Sequence, residues 1–114
     1  YINNNFKNIK TEKKLFVIPA SRQNAYLLRE LRTKHAETEC LLDGDEALVD
    51  TIIHKEKIES STEHFNKNQD DSFYVINFST KASQLKYDRY LCEKMGFRDG
   101  ENFVLMPDEL NGRG

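Results

Sequence analysis

Long apolar stretches, a disulfide framework, a stripe of one charge and a glycine-rich phosphate turn are all missing from these 114 residues, and each absence removes a class of function. The longest purely apolar runs, such as Leu15 to Ile18 and Phe103 to Met106, fall far short of the roughly 20 residues that a membrane-spanning helix requires. No membrane partner is expected, and no signal-peptide pattern is visible. Only Cys40 and Cys92 occur, each with apolar neighbours, where a reduced thiol behaves as a small hydrophobe. Disulfides are not expected, and the expected location is cytoplasmic. The 17 Lys and Arg are interleaved with 19 Asp and Glu, for a net charge of -2, so no positive field gathers and no nucleic-acid partner is expected.

Catalytic and metal patterns are missing too. His35, His54 and His64 are scattered through polar segments, with no metal-ligand spacing among themselves or with the cysteines. They read as solvent-exposed, and no metal site is assigned. Ser21, Ser79 and Thr80 sit in no nucleophile-elbow pattern and have no base nearby in sequence, so no catalytic residue is assigned. What remains is an ordinary soluble surface, 32% charged against 38% hydrophobic, on a chain with room for one modest core. Tyr1 in the place of a methionine leads to the expectation that the chain is an excerpt of a longer protein.

Along the chain, residues 1–14 read as a leader or linker. Leu15-Phe16-Val17-Ile18 reads as a buried strand ended by Pro19, since a short continuous apolar run is how strands covered on both faces look. Ser21 stands at an N-cap position, and Leu27, Leu28 and Leu31 form one stripe of the helix that follows. Cys40-Leu41-Leu42 predicts a second strand ending at the Asp43-Gly44-Asp45 turn, where glycine would supply an unusual backbone angle. Residues 47–58 fit either a helical face of Leu48, Val49, Ile52 and Ile53 or a short strand at Ile52-Ile53. A polar helical turn or loop follows around Phe65. The clearest strand is Phe73 to Phe78. A helix from Thr80 to Met95 then places Leu85, Leu91, Cys92 and Met95 on its inner side, with Asp88 on the same arc. Gly96 ends it, and Phe97 covers the end. Asn102 to Met106 is the last strand, and 111–114 read as a frayed end.

Strands separated by helices of a dozen or more residues imply right-handed crossovers between parallel strands. The predicted fold is a small three-layer α/β domain of Rossmann-like type over residues 15–110, with a mainly parallel sheet. Its order of elements resembles the Rossmann-like accessory domains attached to sugar C-methyltransferases and to sugar O-acyltransferases that bind a nucleotide-linked sugar. The resemblance rests on Leu15 to Ser21 and the helix after it, on Leu41-Leu42-Asp43, on Phe73 to Ile76, and on Met95-Gly96-Phe97-Arg98-Asp99-Gly100-Glu101-Asn102-Phe103-Val104. It implies a non-catalytic module of a larger biosynthetic enzyme, recognising a nucleotide or sugar nucleotide or docking on other domains of its parent chain. Pro19-Ala20-Ser21 replaces the glycine-rich first turn of dinucleotide binders, which argues against close pyrophosphate docking, and no cofactor is named.

A parallel sheet of this kind places its ligand outside the carboxyl ends of its strands. The candidate ligand-binding residues are therefore Ser21, Asp43, Asp45, Asn77, Ser79 and Thr80. Asp43, about 20 residues after Ser21, stands where such domains put a ribose-binding acid, although a turn-forming Asp beside Gly44 is the simpler explanation. Asp43 and Asp45 together also suit a metal-dependent glycosyltransferase-like transferase, because hard cations take carboxylate oxygens. Asn77 to Thr80 joins the strongest strand to a helix, where free amides could hold a carboxylate or phosphate. Tyr87, Arg89 and Tyr90 could mark a partner surface. A third reading is a pure interaction domain, with an apolar patch over Met95 to Phe103.

Overall fold

Leu15, Phe16, Val17 and Ile18 are apolar on both sides of the pleat, and all four are buried in the computed structural model, which describes residues 12–67 and 69–106. The described chain runs β1 (Lys14–Ile18), α1 (Arg22–Lys34), β2 (Thr38–Asp43), β3 (Ile52–Ile53), β4 (Glu56–Ser60) and α2 (Ser61–Lys67). A 3-10 turn (Gln69–Asp71), β5 (Ser72–Ile76), α3 (Lys81–Glu93) and β6 (Phe103–Leu105) complete it. Residues 1–11, read as leader, and 111–114, read as frayed end, lie outside the described residues; Lys14 opens β1.

The strands form one sheet in the order β3-β4-β2-β1-β5-β6. Every neighbour is parallel except the β3–β4 pair. At the centre β1 lies along β5 in continuous register, from Lys14 opposite Ser72 to Ile18 opposite Ile76. The chain winds outward from β1 through β2 to β4, then returns to build β5 and β6 on the other side. The winding direction thus reverses between β1 and β5, the place where an open α/β sheet forms a crevice.

Side chains alternate between two apolar layers, as period 2 demands. Leu15, Val17, Leu41, Ile58, Phe73 and Val75 meet Ala25, Leu28 and Leu31 of α1 on one face. Phe16, Ile18, Leu42, Tyr74 and Ile76 meet Phe65 of α2, Leu91 of α3 and Phe97 on the other. Each fully buried Leu or Ile contributes about 1.5–3 kcal/mol of transfer free energy. Ser21 caps α1 as expected and Thr80 caps α3, accepting from the amides of Asn24 and Ser83 at 3.1 Å each. Gly96, at φ 70°, ends α3 in the left-handed conformation, and the Phe97 amide closes onto the Leu91 carbonyl at 3.0 Å.

One open alternative is resolved and three expectations are corrected. Over residues 47–58 the short strand is the one formed: a turn at 46–50 leads into β3 at Ile52–Ile53, so the crossover from β2 to β4 lacks a helix. The inner face of α3 is rotated from the predicted stripe, because Gln84 and Leu91 are buried while Leu85 and Cys92 face solvent. His64 is buried, not exposed, because its ring fills a gap between Phe16 and Tyr74. Gly44 is not in the left-handed region; Asp50, His54 and Lys55 are the residues of that segment with positive φ.

Candidate functional site

The crevice between β1 and β5 is spanned by side-chain amides. Asn24, in the first turn of α1, donates from Nδ2 to the Pro19 carbonyl at 2.7 Å and to the Asn77 carbonyl at 3.0 Å. Asn77 answers from its own Nδ2 to Asn24 Oδ1 at 2.7 Å. Both residues are buried, so these bonds satisfy carbonyls at two strand ends that would otherwise be stranded without water. Gln84 repeats the device on the other face: its Nε2 donates to the carbonyls of Ile76 and Met106, and its Oε1 accepts from the Phe78 amide at 2.8 Å. With Ser21 Oγ on the Asn24 amide, the start of α1 is already engaged where a dinucleotide binder would hold pyrophosphate.

One strand over, on the α2–α3 face, the carboxyl edge is open. A cleft of about 480 Å³ lies between the ends of β1 and β2 and the two helices. Its carboxylates are Asp43 and Asp45, its hydroxyls include Ser61 and Thr62, and Lys86 supplies a cation. Aromatic rings form one wall: Phe78 and Tyr87 have centroids 4.9 Å apart, and Tyr87 and Tyr90 5.4 Å. Burial pushes the Tyr87 phenol up, Tyr90 adds to the shift and a hydrogen bond with Ser61 opposes it, so Tyr87 is neutral around pH 7. Gly44 sits where an added Cβ would lie 3.6 Å from Ser61 Oγ, an ordinary contact.

Asp43 is held in place by its neighbours. Its Oδ2 accepts from the Ala20 amide at 3.0 Å and its Oδ1 from the Asp45 amide at 2.8 Å, which ties the end of β2 to the end of β1. Asp45 in turn accepts from the Ala47 amide at 3.0 Å. Each carboxylate oxygen has a second lone pair, so both acids keep capacity for a ligand hydroxyl. Among the described residues no group of three or more His, Cys, Asp and Glu side chains could hold a metal ion.

Of the six predicted site residues, Asp43 and Asp45 meet in this cleft. Ser21 and Thr80 cap their helices, Asn77 is buried in the amide bridge, and Ser79 is exposed outside it. Phe78, Lys86 and the hydroxyls of Ser61 and Thr62 were missed. Tyr87 and Tyr90, singled out with Arg89 as a surface, line the cleft without Arg89. The i, i+3 spacing of the two tyrosines puts both on one side of α3, whereas no sequence spacing links them to Phe78, Ser61 or Thr62.

Comparison with protein-family models, with curated proteins and with solved structures found no match.

Proposed function

We propose that this domain is a non-catalytic recognition module that binds a nucleotide or sugar nucleotide in the open cleft at the carboxyl edge of its sheet. The observation that carries the reading is the convergence there of two fixed carboxylates, a lysine and an aromatic wall. Carboxylates aimed by main-chain amides accept from sugar or ribose hydroxyls, lysine offsets phosphate charge, and tyrosine faces pack a base or sugar ring. Binding rather than turnover is favoured because, among the described residues, no nucleophile with a base and orienting group accompanies them. Attachment to a larger biosynthetic enzyme, and docking on its other domains, remain part of this proposal.

Calorimetric titration of uridine, guanosine and adenosine diphosphates, of their glucose conjugates and of NAD tests it. Binding of at least one nucleotide or conjugate is expected, with a rise in melting temperature and with affinity lost in Asp45→Asn or Lys86→Ala. Absence of heat and of any thermal shift across the panel would refute the reading. Tight binding of NAD with no response to the smaller nucleotides would refute the choice of cleft.

A further inference from the structure

His64 is a buried imidazole that the cleft does not use. Its ring centroid lies 4.1 Å from that of Phe16 and 5.6 Å from that of Tyr74, and its Nε2 is 2.8 Å from Ser72 Oγ. The aromatic ring therefore seats α2 on the sheet by packing in its neutral form. Three residues earlier on the same short helix, Ser61 is buried on the same side and faces the cleft. A single turn of helix thus links the His64 seat to the cleft wall.

Burial, more than the charged surroundings, opposes a proton on this ring. His64 lines a cavity of about 470 Å³ at the amino ends of the strands, where the charged or titratable groups are Lys14 of β1, Glu39 and Cys40 of β2, Lys55, then Glu56, Lys57 and Glu59 of β4, and Asp71 of the 3-10 turn. On its other side it shares a second cavity with Asp50, Glu63 and Lys67. Burial lowers the imidazole from its ordinary value, Glu59 opposes the shift and Lys14 adds to it. Burial also pushes the Cys40 thiol up to about 12 and the Tyr74 phenol up to about 12, so neither supplies a negative charge near neutrality. A base whose folded value is depressed contributes full stability above its ordinary value, about 6.5 for His, and loses it as pH falls below that.

From this placement we infer that α2 is an acid-sensitive wall of the cleft: a proton taken up by His64 unseats the helix from Phe16 and Tyr74 and withdraws Ser61 and Thr62 from the ligand site. No chemistry is involved beyond the proton itself, which comes from solvent. The inference concerns the helix and stands whichever ligand the cleft takes.

Hydrogen exchange and proton NMR on the full chain test it. Corrected for intrinsic rates, protection of the α2 amides should fall about fivefold or more between about pH 7.5 and about pH 5.5, while α1 stays within about twofold. The Tyr87 ring resonances should move with the same midpoint as the His64 ring proton, and that midpoint should lie below the ordinary imidazole value. His64→Gln, which stays uncharged, should abolish the pH dependence; if that variant fails to fold, the wild-type midpoints still decide. Unchanged α2 protection, a His64 midpoint at or above the ordinary value, or Tyr87 resonances indifferent to the transition would each overturn the inference.

Discussion

Two neighbouring stretches of one sheet edge have opposite fates. Between β1 and β5 the crevice is closed by Asn24 and Asn77, whose side-chain nitrogens bond two strand-end carbonyls and Asn24 Oδ1, with Asn77 Oδ1 buried and unpartnered. Between β1 and β2 the edge opens into a cleft where Asp43 is held by two main-chain amides. The difference lies in what the polar side chains face. Amides turned inward serve the fold, and carboxylates fixed at the rim leave lone pairs toward solvent. A winding reversal alone therefore does not mark an open cleft, because here its side-chain amide nitrogens are spent on the fold.

That contrast can be broken at either end. Asn24→Leu should have the largest effect, because it strands the Asn77 carbonyl and the Asn77 side-chain amide together; a loss of about 3 kcal/mol in urea unfolding is expected. Gln84→Leu should follow at about 2 kcal/mol, with the Met106 carbonyl and the Phe78 amide unpaired while the Ile76 carbonyl keeps the Met106 amide. Asp43→Ala removes an acceptor from two amides at the boundary between the two regions, and about 1–2 kcal/mol should be lost along with ligand affinity. Lys86→Ala and Tyr90→Ala should change stability by no more than about 0.5 kcal/mol, since both residues are exposed, yet weaken binding in calorimetry. Equal stability losses across all five positions would erase the distinction between a closed and an open edge.

Legibility in the sequence followed the same division. The strands β1 and β5 were plain because layers on both faces leave no polar position in the run, and Ser21 and Thr80 were plain because capping is local chemistry. Residues 47–58 were not: the turns there use Asp50, His54 and Lys55 at positive φ, where no glycine announces the bend, and Ile52 is 70% exposed despite its strand. The face of α3 was misjudged because hydrophobic periodicity cannot foresee a buried Gln84, whose place is set by carbonyls on two other elements. Asp43 and Asp45 were legible as strand-end acids, whereas the aromatic wall needed the packing of α3 against the sheet edge to exist.

Mapping a bound nucleotide by amide chemical shifts tests the central claim most directly. Taking whichever diphosphate or glucose conjugate gives the largest heat, the account predicts that shifts concentrate at Gly44, Asp45, Thr62 and Tyr87, with Asn24 and Asn77 unmoved. Shifts centred on residues 20–24 and 77–80, with the Asp45 and Tyr87 amides silent, would contradict it.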